Sequence, residues 1–174
     1  GRELTYSAVG ATLTTPPAGY VVDHTRVRLG QGEPVFAAAR AALRRWQQFR
    51  VGWLEVNPDD APVEKGTVVS LLTWSAGLWW LNACRVVAVV DEDAPVRRFG
   101  LACGTLPDHA GSGEERFLIE WDRGTGDVWY DILAFSRPRH VLARLGYPLV
   151  RRVQKQFGRE SAAAMQRAIA GSPS

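Results

Sequence analysis

Two cysteines in 174 residues are too few for a disulfide framework, and neither Cys84 nor Cys103 stands in a CxxC or Cys/His spacing that would hold zinc. A reducing compartment is the simplest setting for such a chain. No apolar run approaches the roughly 18 residues of a spanning helix, and no charged segment followed by an apolar one marks a leader. The expectation is therefore a soluble, cytoplasmic protein with no membrane span. Positive charge is thin as well: 21 Lys+Arg against 18 Asp+Glu leave a net +3. The basic pairs Arg44-Arg45, Arg97-Arg98 and Arg151-Arg152 are scattered and have no aromatics interleaved, which argues against a nucleic-acid partner.

What is plentiful is apolar and aromatic material. A hydrophobic content of 46% suits one core, and a chain of this length buries roughly 70% of its unfolded surface without staples. The chain reads as a single domain over 1–174, with an arm over 1–19, a core over 20–170 and a tail over 171–174. The arm, Leu4 to Thr15, ends at Pro16-Pro17. Tyr20 to Leu29 alternates without a clean apolar face, which predicts an edge or outward strand. Pro34 suits a first helical turn, and Phe36, Ala39, Leu43 and Trp46 follow at helical spacing. The period then becomes two. Strands are expected over Phe49 to Val56, Gly66 to Trp74, Leu78 to Val90, Arg97 to Leu106, Glu115 to Asp122 and Val128 to Phe135, with short turns that imply an antiparallel meander. On the fifth of these, Phe117, Ile119 and Trp121 form an apolar face, while Arg116, Leu118, Glu120 and Asp122 are expected mostly in solvent. From Arg139 to about Ala170 the pattern is helical again, broken near Gly146-Tyr147-Pro148, and Gly158 should weaken the longer piece by up to about 1 kcal/mol relative to Ala.

Strand, helix, six strands and a long terminal helix is an order that resembles the α+β helix-grip architecture. This is the START-like and plant-allergen-like superfamily, which also holds polyketide cyclases and lipid-transfer domains. The resemblance implies a curved antiparallel sheet of about seven strands around the last helix, with a hydrophobic cavity between them. The segments Leu4-Thr-Tyr6, Val9-Gly-Ala-Thr12, Arg28-Leu-Gly-Gln-Gly32, Gly104-Thr-Leu-Pro107, His109, Gly113-Glu-Glu115 and Phe135-Ser-Arg-Pro138 carry a closer likeness. So do Phe36 with Ala37, Trp46, and Pro148 with Gln154. Together they resemble a bacterial and plant domain family of unknown function whose pattern reads YGTLPGHP, GEE and FSRP. Cys103 replaces the Tyr of that pattern and Asp108 a Gly; any family activity carried by that hydroxyl would be absent here or supplied by other groups.

Several residues are candidates for chemistry. His109 with Glu114 and Glu115 has the composition of an acid/base pair, since an imidazole beside a carboxylate is a common general-base arrangement. The alternative is that His109 and Glu115 bond to backbone and shape the loop. One His and two Glu could also take a divalent cation, but without a second spaced His no metal or other cofactor is expected. Asp131 sits in an apolar strand beside Trp129, Leu133 and Phe135, so it lines either a polar patch in a cavity or an aromatic-rich outer face. Tyr130 is either core or pocket wall. Arg137 either clamps an anion or is simply exposed. Trp74, Trp79, Trp80, Trp121 and Trp129 could line a pocket for a bulky apolar ligand, or fill a core. Cys103 with His109 is a further nucleophile candidate. The leading expectation is a binder of a hydrophobic or aromatic small molecule. An enzyme of cyclase, hydrolase or isomerase type using the same cavity, and an interaction module with a packed core, are the alternatives.

Overall fold

A computed structural model describes residues 3–75, 77–109, 111–139 and 146–171. The elements run β1 (Val21–Gln31), α1 (Glu33–Arg44), β2 (Leu54–Asn57), β3 (Val68–Ser75), β4 (Leu78–Glu92), β5 (Val96–Thr105), β6 (Gly111–Asp122), β7 (Asp127–Pro138) and α2 (Tyr147–Ala170). The strands form one antiparallel sheet in the order β1-β7-β6-β5-β4-β3-β2, so the meander β2 to β7 is closed by β1 at the far edge. This is the seven-stranded helix-grip arrangement expected of the chain. β1 has the mixed pattern of an edge strand: Val22, His24, Arg26 and Arg28 are exposed, and the alternate residues are half-buried.

Both helices lie on the concave face. Phe36, Ala39 and Leu43 of α1, with Trp46 just after it, meet Phe99, Leu101, Phe117 and Ile119 of β5 and β6 in one core. Phe157 of α2 completes it, stacking on Phe49 at 5.7 Å and meeting Phe117 edge-on at 6.3 Å. Each such buried side chain stabilises the fold by about 1.5–3 kcal/mol. Slips of register between Val86 and Ala88 on β4 and between Arg28 and Gly30 on β1 add the local twist a sheet needs to wrap a helix.

Two expectations are corrected, and a third lies outside the described residues. The strand read over Phe49 to Val56 is cut to Leu54–Asn57, because Gln47–Phe49 forms a tight 3-10 turn after Trp46, which adopts a left-handed φ of 56° and donates its indole N–H to the Ala61 carbonyl at 2.8 Å. Leu118 is buried on the convex face, and Arg116 and Glu120 beside it lie within ion pairs and are partly buried. The short helical piece expected after Arg139 falls largely on residues 140–145, outside the described residues. The N-terminal arm covers one end of the convex face: Tyr6 and Ala11 pack on Phe135, and Tyr6 meets that ring edge-on at 5.6 Å.

Candidate functional site

Strand alternation sends the two adjacent carboxylates of Gly113-Glu-Glu115 to opposite faces of the sheet. Glu114 points outward, opposite Gly104 on β5. It accepts hydrogen bonds from the Tyr6 hydroxyl at 2.6 Å, the Gly10 N–H at 2.7 Å, the Thr12 N–H at 3.0 Å and the Thr12 hydroxyl at 2.5 Å. Four donors saturate a buried carboxylate, so Glu114 is the anchor of the arm. Gly104 makes room for it: a Cβ there would stand 2.3 Å from the Tyr6 hydroxyl. The arm, Gly104 of β5 and Glu114 of β6 are thus one structural unit.

Glu115 points inward, on the face of Phe117 and Ile119. Register places it in a row that crosses the sheet from Asp23 on β1 through Ala134 on β7, Glu115 on β6 and Cys103 on β5 to Val86 on β4. The carboxyl is half-buried, and among the described residues no side chain hydrogen-bonds or ion-pairs with it. Burial pushes its pKa up to about 8, and the negative charge of Asp23 adds to the rise. A carboxyl in this state is largely protonated at neutral pH and can donate a hydrogen bond.

Polar groups of α2 and its neighbours border the same region. Arg151 forks onto Asp23 with bonds of 2.5 and 2.6 Å, and Gln154 donates to the Ser136 hydroxyl at 2.9 Å. Tyr130 and Ser161 share a buried hydrogen bond of 3.0 Å, and burial drives the Tyr130 hydroxyl well above its ordinary value, with the Glu115 charge contributing. The α2 face is therefore divided. From Phe157 onward, through Met165, it joins the apolar core, and its first two turns present Arg151 and Gln154 to the end of the sheet that carries Glu115.

The remaining candidates are dispersed. His109 is turned back on its own loop, its Nδ1 accepting the Gly111 N–H at 3.0 Å, and burial lowers it to about 4, so it is neutral and acts as a turn fastener. The structure does not join it to Glu114 or Glu115 as a pair. Cys103 is buried beside Cys84, whose hydrogen bond, with burial, holds its thiol well above its ordinary value, the opposite of an activated nucleophile. Asp131 lies on the convex face. Burial opposes its ionisation, but bonds from His24 at 2.8 Å, Arg26 at 3.0 Å and Arg116 hold it below its ordinary value as the hub of an ion-pair network. Trp129 is on that face too, under the Arg26 guanidinium at 5.0 Å. Arg137 lies over the Tyr20 ring at 4.7 Å. Trp121 packs against Phe36 at 6.0 Å, near α1. Trp74, Trp79 and Trp80 are exposed around the β3–β4 turn. Of the twelve candidate side chains, Glu115, Cys103, Tyr130 and Trp121 thus share the interior face, with Trp121 set toward α1. Asp23, Gln154 and Ser161 were missed by sequence reasoning. Extending the Phe117/Ile119 parity back by two finds Glu115, but nothing local finds the α2 residues.

Two clefts lined by described residues open to the surface. One of about 360 Å³ runs along α1 between Glu33, Arg40, Arg44 and Arg97, and one of about 310 Å³ lies between Trp53, Trp74 and the Leu149–Gln156 turns of α2. No group of three metal-ligating side chains gathers among the described residues, and none of their helices is long and apolar enough to cross a membrane.

The fold has relatives among solved structures. Norcoclaurine synthase from Thalictrum flavum, in complex with dopamine and hydroxybenzaldehyde, matches with a TM-score of 0.54 at 12% identity, covering 100% of this chain and 98% of that one. Human STARD10 matches with a TM-score of 0.55 at 12% identity, covering 99% of this chain and 74% of that one. At such identities the likeness is one of fold. In sequence, a UPF0548 protein of Dictyostelium discoideum is 36% identical over 161 residues, covering 87% of this chain and 74% of the relative. A domain of unknown function, DUF1990, matches residues 5–164, and with nearly the whole core inside that match the chain belongs to the DUF1990 family.

Proposed function

We propose that the protein binds a hydrophobic or aromatic small molecule between the concave face of the sheet and the N-terminal half of α2, with Glu115 making the polar contact. The observation that carries the reading is Glu115 itself: a half-buried interior carboxyl, raised to about 8 and unmatched by any described side chain. Leaving such a group without a partner costs roughly 1–3 kcal/mol, and a ligand with a carbonyl or other acceptor would recover it. The fold-mate from Thalictrum flavum carries two aromatic molecules, which is consistent with this class of ligand. The second reading is an enzyme that uses Glu115 as a general acid, favoured by the same raised pKa.

Native mass spectrometry of the purified protein, together with titration of an apolar fluorescent dye, tests both. A co-purifying or saturable one-to-one ligand is expected, with affinity lowered roughly tenfold in Glu115→Gln for a ligand that Glu115 contacts. If no small molecule or dye binds to the protein, or binding ignores Glu115→Gln, the reading is wrong. Turnover of a captured ligand that is lost in Glu115→Gln selects the enzyme.

A further inference from the structure

The longest uncharged stretch of the hairpin region runs from Gly66 to Cys84, between Lys65 and Arg85, and it forms β3, its turn and the first half of β4. β2 pairs with Ser70 to Thr73 and the Trp53 carbonyl just before it accepts the Trp74 N–H at 2.8 Å, so the hairpin extends past the sheet edge beyond Trp74. There Trp74, Trp79, Trp80 and Leu81 are each between 37% and 54% exposed, and the Trp74 and Trp79 rings lie 5.3 Å apart. Soluble surfaces seldom gather this much aromatic area without using it.

The same patch continues onto α2. The cleft that ends at Trp74 is lined on its other side by Leu149, 48% exposed, and by Arg152. Arg152 and Lys155 are exposed, and among the described residues neither is in an ion pair. The one acidic residue of α2, Glu160, is already engaged by the Trp53 indole at 2.5 Å and by Gln156 at 2.8 Å. The surface therefore offers indole rings at its tip and unpaired cations beside them.

We infer that the Trp74–Leu81 hairpin tip, with Leu149, Arg152 and Lys155, is a docking surface for an anionic lipid bilayer. Indoles partition to the boundary between headgroups and acyl chains, where the ring is sheltered and the N–H stays solvated, and nearby cations gain from anionic headgroups. A second copy of the chain is the poorer occupant. In a twofold dimer the patch would meet itself and bring Arg152 and Lys155 of both copies together with no acid between them.

Sedimentation with phosphatidylcholine vesicles, with and without phosphatidylserine, tests this. Binding is expected with phosphatidylserine, accompanied by a blue shift of tryptophan emission and quenching by brominated acyl chains. The Trp79→Ser/Trp80→Ser variant should lose at least about tenfold in binding. Arg152→Glu/Lys155→Glu should lose a similar factor on phosphatidylserine vesicles and little on pure phosphatidylcholine. All four side chains are exposed, so unchanged circular dichroism melts are expected and report that the variants fold. Absence of binding to phosphatidylserine vesicles overturns the inference, as does binding that neither variant alters. A dimer in gel filtration that Trp79→Ser dissolves would assign the face to a second copy instead. The result is independent of whether Glu115 contacts a ligand.

Discussion

Glu114 and Glu115 show how far one residue's position governs its chemistry. They share a side chain and a sequence context, yet one meets four donors and the other none among the described residues. Two variants separate the roles. Glu114→Gln loses charge-assisted bonds to Tyr6 and Thr12 and should destabilise by about 2–4 kcal/mol at neutral pH, read by urea denaturation. Glu115→Gln should do something different. The native carboxyl keeps its proton up to about pH 8, whereas the unfolded one releases it near 4.5. The fold thus binds the extra proton between these values, and wild-type stability falls as pH rises through that window, by at most about 1.4 kcal/mol per pH unit. Gln cannot ionise, so the difference between variant and wild type should grow from pH 5 to pH 8 in favour of the variant. A difference that stays flat across that range would show that Glu115 is ionised in the fold.

At the scale of elements, α2 is shaped by what it lies on. By helix propensity alone, Gly158→Ala should gain up to about 1 kcal/mol. The structure reverses the sign. A Cβ at Gly158 would stand 2.7 Å from the Thr25 hydroxyl on β1, and Thr25 is a β-branched strand residue with little freedom to move aside. Gly158→Ala should therefore destabilise by about 1–2 kcal/mol overall, the cost of overpacking less the helix gain. The pair Gly158→Ala/Thr25→Ala should recover most of it. If thermal melts show the single variant more stable than wild type, α2 does not approach β1 as closely as described. The arm is the complementary case, where a segment with little structure of its own is held by Glu114 and by Ser112, which donates to the Thr5 carbonyl at 2.9 Å.

Across the whole molecule, the sheet separates two environments. Its convex face carries the Asp131 network with His24, Arg26 and Arg116, joined through Arg26 to Glu120 and Arg98, and its concave face carries Glu115 and the core. Asp131→Ala leaves two guanidinium groups short of their counter-ion, one of them partly buried, and should cost about 3 kcal/mol or more in stability. Dye affinity in the folded protein should stay unchanged, because the sheet lies between. Loss of binding without loss of stability would place Asp131 in the ligand site after all. Much of this was legible along the chain. Period-two and period-3.6 patterns are local, so the seven strands, both helices and their order follow from the residues, as does the edge character of β1. The division of Glu114 from Glu115 is also implied by alternation once Phe117 is assigned to the core. The placement of Asp131 was open because its strand is apolar on both faces, and only the covering arm and the ion pairs distinguish outside from inside. The indoles read alike in sequence, yet Trp46 is buried by the turn after α1 while Trp79 is left at a hairpin tip beyond the short edge strand β2. Local pattern determined the elements and their order by itself. Tertiary packing alone decided which carboxylate found donors and which cations stayed unpaired, because those partners lie up to 128 residues apart and meet only when the arm folds over one face of the sheet and α2 over the other.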